Sequence, residues 1–244
     1  MSGHSKWHNI QQRKGKQDAL RSNLFTKVGR AITMAAKSGG DPTTNFSLRL
    51  AIEKAKEVGM PKDNVEKATK RGTGELEGAV MEEALYEAFG PGGAAILVKA
   101  VTDNKNRTVS DLKHILSEHG GSLGGAGSVQ WMFLQVGVFT CLPLKKGEVG
   151  GGLSKEEFEL ALIDEGAEDI AEDDGLVEIK TKVENLQKVL NKLKEWGVEV
   201  KESGIQWMAK DKIKVDKGVE EKLGNLFSVF EENEDISDYF TNAE

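Results

Sequence analysis

The first 30 residues combine basic, aromatic and amide side chains, a set that suits contact with nucleic acid. Lysine and arginine can pair with phosphates, Trp7 can stack on an unpaired base, and Asn9 can hydrogen-bond to base edges. A competing interpretation is that Trp7 packs on a neighbouring helix and anchors this segment, and the two are compatible. The candidate nucleic-acid-binding residues are Lys6, Trp7, His8, Asn9, Arg13, Lys14, Lys16, Arg21, Lys27 and Arg30.

The charge of the chain is divided between two parts. The 244 residues carry a net charge of -7, which by itself argues against a polyanionic partner. Residues 1–75 nevertheless contain 15 Lys or Arg and 7 Asp or Glu, hence +8, whereas residues 76–244 contain 18 and 33, hence -15. Such asymmetry is typical of a basic module that meets a polyanion and an acidic body that does not. The alternative is a solvated basic face without a partner.

The other residues that could carry chemistry favour structural interpretations. His4 and His8 have the i, i+4 spacing of helical metal ligands but lack a third ligand nearby. Cys141 lies in a candidate apolar strand, where a free cysteine usually packs as a small hydrophobe. The acidic cluster between Glu168 and Asp174 lacks the alternation of a calcium-binding loop and is typical of a surface turn. We therefore expect no catalytic residue, no metal site and no cofactor, and a protein that is not an enzyme.

The composition is that of a globular protein of the cytoplasm. Hydrophobic residues make up 38% of the chain and charged residues 30%, which is neither membrane-like nor disordered. The single cysteine excludes an intramolecular disulfide and suits a reducing compartment. The apolar runs fall far short of the roughly 20 residues that cross a bilayer, and no secretory signal is recognisable. We expect a cytoplasmic location without membrane contact.

Apolar residues at three- and four-residue spacing predict three helices after a polar, basic arm. Each helix has a recognisable glycine stop, and together the three should pack into a small bundle. The expected elements are an arm at Ser2–Lys16, a helix from Leu20 to a stop at Gly39, a helix capped by Asp41 or Thr44 and ended by Gly59, and a helix from Lys62, after Pro61, to a stop at Gly72.

Beyond a turn-rich linker, Gly72–Gly78, the periodicity becomes strand-like. The expected elements are strands Met81–Phe89 and Ala94–Val101, a helix capped by Thr108, and a strand Ser128–Phe133. A β-α-β-β-α-β series from Val136 to Lys201 then matches a ferredoxin-like unit. The remaining segments should return to complete the sheet that begins at Met81; they are Gly204–Met208, a helix over Val219–Phe230, and Ile236–Thr241.

Long motifs occur in order along the whole chain. They are Met1–Ile10, Lys70–Gly74, Gly90–Ala94, Thr102–Thr108, His119–Gly121, Gly127–Phe133 and Glu172–Gly175. In these motifs the chain resembles the YebC/PmpR family, whose mitochondrial relatives are translational activators of cytochrome oxidase. The resemblance implies an N-terminal helical domain and two α+β domains, the last inserted into the second. It implies no catalytic residues.

The sequence thus predicts an α+β protein of three domains. Residues 1–75 form a basic three-helix bundle with its arm, residues 76–133 plus 204–244 form a discontinuous α+β domain, and residues 134–203 form an inserted ferredoxin-like α+β domain.

The function expected from residues and resemblance is non-enzymatic regulation of gene expression by nucleic-acid binding. The family is described as DNA-binding transcriptional regulators. The alternative is a ribosome-associated, RNA-binding translation factor that relieves stalling at proline-rich stretches. Expected partners are promoter DNA or ribosomal RNA at the basic domain, and the ribosome or another protein at the acidic domains.

Overall fold

Seven helices and eight strands make up the part of the chain that the structure describes. The computed structural model describes residues 17–142, 154–173 and 175–244, and the side chains of residues 17–21 and 173 lie outside that description. The helices are α1 (Gln17–Ala36), α2 (Phe46–Glu57), α3 (Lys62–Thr73), α4 (Lys105–Glu118), α5 (Lys155–Asp164), α6 (Leu186–Glu195) and α7 (Lys217–Glu232). The strands are β1 (Glu82–Phe89), β2 (Ala95–Thr102), β3 (Ser122–Leu123), β4 (Phe133–Cys141), β5 (Ala167–Asp173), β6 (Leu176–Lys182), β7 (Val200–Ala209) and β8 (Ile236–Thr241).

These elements form two compact units. One unit is Phe133–Met208, and the other contains the described residues before Phe133 together with Ala209–Glu244. The first thus interrupts the chain of the second. The division into three domains, with residues 1–75 as a domain of their own, stays a prediction. No described helix is both long and apolar enough to cross a membrane.

Helices α1, α2 and α3 pack around the apolar stripe that their spacing predicts. The shared core contains Val28, Ile32, Ala36, Leu48, Ala55, Met60 and Ala68. The cap of α2 differs from the prediction: Asn45 accepts a hydrogen bond from the Leu48 N–H at 3.1 Å. Asp41 lies four residues before this cap, and its carboxylate instead accepts hydrogen bonds from the N–H and hydroxyl of Thr43.

The predicted stop of α3 at Gly72 is also wrong, since the helix continues to Thr73. Gly72 instead marks the closest approach of α3 to α1. A Cβ placed on Gly72 would lie 2.3 Å from the carbonyl oxygen of Thr33 and 2.6 Å from the Cβ of Ala36. Only glycine allows the two backbones to come this close.

The first sheet has the strand order β3-β1-β2-β8. β1 and β2 pair antiparallel from Glu82 opposite Thr102, and β8 pairs antiparallel with the other edge of β2. The predicted return of Ile236–Thr241 to this sheet is therefore confirmed. Helices α4 and α7 supply its core, in which Leu112, Leu116, Leu223, Phe227 and Phe230 are buried with Ile96 and Val98.

Two predictions in this region are wrong. Helix α4 begins four residues earlier than expected because Asn104, and not Thr108, accepts the capping hydrogen bond from the Arg107 N–H. Ser128–Phe133 is not a strand: it contains a 3-10 turn at Gln130–Met132, and β4 begins at Phe133. In this loop the backbone N–H groups of Val129 and Gln130 donate to the side chain of Glu87, and not to a neighbouring strand.

The second sheet has the strand order β5-β6-β4-β7. With helices α5 and α6 in the order β4-α5-β5-β6-α6-β7, this is the predicted β-α-β-β-α-β series. Its buried side chains include Phe139, Phe158, Leu162, Ile179, Leu190 and Leu193. Gly204–Met208 belongs to β7 of this sheet, so its predicted return to the first sheet is wrong. β7 extends over Val200–Ala209 beside β4, which begins three residues earlier than predicted.

Candidate nucleic-acid interface

The ten predicted nucleic-acid-binding residues fall into three groups. Seven of them lie outside the described residues, namely Lys6, Trp7, His8, Asn9, Arg13, Lys14 and Lys16. Arg21 lies in α1, and its side chain is not described. Lys27 and Arg30 are also in α1, and the structure shows their contacts.

Lys27 and Arg30 make contacts inside the protein. The Lys27 ammonium lies 3.3 Å from the carbonyl oxygen of Phe230, and burial lowers the pKa of Lys27 to about 8. Arg30 donates to the carbonyl oxygens of Val101 at 3.0 Å and Glu234 at 2.6 Å. Both cations thus meet carbonyl groups at or just beyond the C-terminal end of α7, where the helix dipole favours positive charge. These contacts give Lys27 and Arg30 a structural function, and their contact with phosphate stays a prediction.

Asp235 is the centre of the network that holds Arg30. Its carboxylate lies 2.6 Å from Arg30 and 3.1 Å from Arg107, and it accepts hydrogen bonds from Thr108 at 2.8 Å and Thr102 at 3.1 Å. Burial alone would raise the pKa of Asp235, but the hydrogen bonds outweigh it and hold the pKa below its ordinary value. The network therefore fixes α1 against the ends of β2 and β8 through a charged carboxylate.

Other cations of the helical bundle remain exposed. Within the described residues, none of the following is paired with a carboxylate: Lys56, Lys62, Lys67, Lys70 and Arg71. Four of them lie on α3, where 67, 70 and 71 follow the i, i+3, i+4 spacing of one helix face. The prediction from sequence concentrated on the first 30 residues and missed this surface. The sequence nevertheless indicates this surface, because the lysines and the arginine of α3 alternate with the apolar residues that face the core.

Cations of the α+β part are mostly matched to carboxylates. Lys99 pairs with Glu83 at 3.2 Å and Lys105 pairs with Glu82. In the second sheet Lys180 lies 2.7 Å from Asp169 and 3.2 Å from Glu178. Further pairs join Lys155 to Glu172 and Lys182 to Glu168. The predicted acidic cluster is thus partly neutralised by lysines of the same unit, whereas the bundle keeps unpaired positive charge.

Potential nucleophiles and bases are dispersed in the described residues. Cys141 is buried in β4, and burial raises the pKa of its thiol to about 12, so the thiolate is scarce at neutral pH. His114 is exposed beside Glu118, with 3.5 Å between Nε2 and the carboxylate. His119 places Nδ1 2.8 Å from the carbonyl oxygen of Ile115. His4 and His8 lie outside the described residues.

A second feature that sequence reasoning missed is an exposed tryptophan. Trp131 lies in the 3-10 turn before β4, and 66% of its surface is exposed. The loop that carries it is tied to the buried carboxylate of Glu87. The sequence alone assigned this segment to a strand, which hid the exposure of the ring.

The fold and this surface define an α+β protein with a basic helical bundle at its N-terminal side. Residues 5–75 match the family profile described as "TACO1/YebC protein N-terminal domain". Residues 81–243 match the profile "TACO1/YebC second and third domain". The chain belongs to the TACO1/YebC family, which confirms the resemblance found in the sequence motifs.

Relatives cover the chain from end to end. A protein of Pseudothermotoga lettingae is 46% identical over 100% of this chain and 94% of its own length. A protein of Fusobacterium nucleatum is 46% identical over 99% of this chain and 95% of its own length. Both carry the name "Probable transcriptional regulatory protein". The crystal structure of a conserved hypothetical protein from Aquifex aeolicus, 36% identical, superimposes with a TM-score of 0.81 over 98% of this chain and 96% of that one.

Proposed function

We propose that this protein is a non-enzymatic regulator of gene expression that binds nucleic acid through its basic N-terminal region, acting as a DNA-binding transcriptional regulator. The observation that carries the proposal is the division of charge, +8 in residues 1–75 against -15 in the rest. The names of its relatives, "Probable transcriptional regulatory protein", support the regulatory part.

The described contacts add a physical argument for the basic region. Ion pairs neutralise much of the positive charge of the α+β part, for example Lys99 with Glu83 and Lys180 with Asp169. Exposed cations such as Lys67, Lys70 and Arg71 on α3 have no such carboxylate within the described residues. Unpaired cations release counterions when they meet phosphates, so they supply binding free energy that paired cations cannot.

The acidic body has a complementary role in this proposal. A net charge of -15 over residues 76–244 repels a polyanion and leaves the basic region as the face that approaches it. The acidic units are then available for a protein partner. The division of charge thereby orients the protein on its nucleic acid. We place the protein in the cytoplasm.

The non-enzymatic part of the proposal rests on the chemistry of the side chains. The buried thiol of Cys141 has a raised pKa, which disfavours the nucleophilic thiolate. A general base needs a substrate proton within hydrogen-bond reach and a partner that orients it. Neither His114 nor His119 is bonded to a Ser, Thr or Cys nucleophile within the described residues.

The test is crosslinking of the protein to its partners in growing cells, followed by sequencing of the bound DNA and RNA. The proposal expects peaks at promoters that weaken when Lys6, Arg13 and Lys14 are replaced together by alanine. Enrichment of ribosomal RNA without promoter peaks would refute the transcriptional role and favour the ribosomal alternative. Crosslinks to neither nucleic acid would refute the proposal as a whole.

A further inference from the structure

Trp131 is presented to solvent on a loop that the rest of its unit holds in place. With 66% of its surface exposed, it differs from Phe227, Phe230 and Tyr239 of the same unit, which are buried. An exposed tryptophan offers a large flat surface that gains free energy when a partner covers it. A partner that covers this ring would therefore be flat, or apolar, or both.

The orientation of the indole is fixed by its neighbours. The ring Nε1–H donates a hydrogen bond to the carbonyl oxygen of Ser128 at 3.1 Å. The backbone of the turn is held by Lys210, whose ammonium donates to the carbonyl oxygen of Trp131 at 2.7 Å and whose backbone N–H donates to the carbonyl oxygen of Met132 at 2.9 Å. The ring loses little conformational freedom when a partner arrives, which favours affinity.

A buried carboxylate holds the base of the loop. Glu87 in β1 is 7% exposed and accepts hydrogen bonds from the backbone N–H groups of Gly127 at 2.5 Å, Val129 at 2.6 Å and Gln130 at 2.7 Å. Burial alone would raise the pKa of Glu87, but these three bonds lower it below its ordinary value, so the group stays charged at neutral pH. Gly127 has a φ of 81°, a left-handed conformation that glycine adopts readily.

The cation that contacts the backbone of Trp131 is Lys210. Lys210 begins a segment, 210–217, that contains four lysines and two aspartates. One of the three ammonium protons of Lys210 is used by the Trp131 carbonyl, and the others remain available for an anion. The ammonium group thus lies at the backbone of the residue that carries the exposed ring, and a nucleotide likewise joins a flat base to a nearby phosphate.

We propose that Trp131 stacks on an unpaired nucleobase while Lys210 contacts the adjacent phosphate, so that the protein holds nucleic acid at a second point, outside its basic bundle. This inference rests on the proposed function. It adds to that function a preference for strands with unpaired bases, because a base inside a duplex has no free face for the indole.

Binding of full-length protein to three probes tests this inference. The probes are a fluorescein-labelled oligouridylate and an oligothymidylate, each of about 16 nucleotides, and a duplex DNA of the same length. Fluorescence anisotropy at one salt concentration gives the affinities. Trp131→Ala should weaken binding to the single strands about 5- to 150-fold and leave duplex binding unchanged. Trp131→Phe should retain most of the affinity, because phenylalanine also stacks.

Two further variants control the experiment. Leu160→Ala removes an apolar side chain that is 63% exposed, in the other unit, and should leave all three affinities unchanged. Glu87→Gln keeps the indole but removes the charged acceptor of the loop, and should weaken single-strand binding less than Trp131→Ala does. Unchanged thermal unfolding of Trp131→Ala would confirm that the exposed ring is not needed for folding.

The outcomes separate the inference from the proposed function. If the wild-type protein binds duplex DNA and Trp131→Ala binds the single strands as the wild type does, the inference is overturned and the proposed function stands. An equal loss on the duplex would overturn the preference for unpaired bases. If the wild-type protein binds none of the probes, both are overturned. A loss on only one single strand supports the inference and identifies RNA or DNA as the source of the base.

Discussion

Replacing Asp235 by asparagine should destabilise the packing of α1 on the α+β body. The Asp235 side chain is 6% exposed and that of Arg30 is 13% exposed, so the pair is largely removed from water. Removing one member of a buried ion pair typically costs about 3 to 5 kcal/mol, because the other charge is left without compensation. Arg30 keeps the carbonyl oxygens of Val101 and Glu234 as acceptors. We therefore expect a cost at the lower end, about 3 kcal/mol.

Native-state hydrogen exchange measures this cost where it arises. A loss of about 3 kcal/mol in the opening free energy speeds exchange by roughly 150-fold in the amides that open with this contact, and those lie in α1 and β8. Asp103→Asn is the matched control. Asp103 contacts the same Arg107 at 2.8 Å but is exposed at the surface, so its loss should cost less than about 1 kcal/mol.

The pH dependence gives a second check on Asp235. The folded-state pKa lies below the ordinary value of about 3.9, so the carboxylate stabilises the fold above that pH, and this contribution is lost as the pH falls through the folded-state pKa. The difference in the free energy of unfolding between the wild type and Asp235→Asn should therefore be fully present at pH 7 and should disappear in acid. Equal effects of Asp235→Asn and Asp103→Asn at pH 7 would refute the reasoning.

Three other predictions concern the helices. Gly72→Ala should lower the free energy of unfolding by about 1 to 3 kcal/mol because its Cβ meets the Thr33 carbonyl, whereas Gly29→Ala, with open space around it, should raise it by up to about 1 kcal/mol; urea unfolding followed by circular dichroism compares them. The folded protein loses the Lys27 proton at a pKa of about 8 and the unfolded chain loses it at 10.5, so the free energy of unfolding of the wild type should rise by up to roughly 3 kcal/mol between these pH values. Lys27→Met should abolish this rise. Unfolding of both proteins at pH 8 and 10.5 tests this, and an equal rise in both would contradict it. Asn104→Ala should cost about 1 kcal/mol through loss of the α4 cap, and no change in the urea midpoint would contradict this.

The regular elements were predictable because they repeat a local pattern. The stripe that includes Val28, Ile32 and Ala36 has helical spacing, and it becomes the core of the bundle. The β-α-β-β-α-β order of the Phe133–Met208 unit likewise follows from alternating periods along the chain. Cap positions were less predictable, since Asp41, Thr44 and Asn45 all have capping side chains. Asn45 is also held by hydrogen bonds from its amide to the carbonyl oxygens of Ala35 and Gly39, which are distant contacts that the local sequence does not show.

The contacts that determine the site depend on residues far apart in sequence. Arg30 and Asp235 are separated by 205 positions, so the sequence shows a basic residue in a basic region and not the carboxylate that holds it. Glu87 is 40 or more residues from the amides that it binds, and without that contact Ser128–Phe133 has the composition of a strand. Within the described residues, only the fold shows which cations are largely buried and paired, such as Arg30, and which are exposed and unpaired, such as Lys70.

The salt dependence of duplex DNA binding tests most directly whether the basic region holds phosphates. If roughly five to eight phosphates are engaged, log K for the wild-type protein should fall with log salt at a slope of about -4 to -7. Joint replacement of Lys67, Lys70 and Arg71 by alanine should reduce that slope by about 2 to 3, while the same charge change at Lys113, Lys188 and Lys222 in the acidic body should leave it unaltered. A slope near zero, or equal slopes for the two triple variants, would contradict binding through the basic bundle.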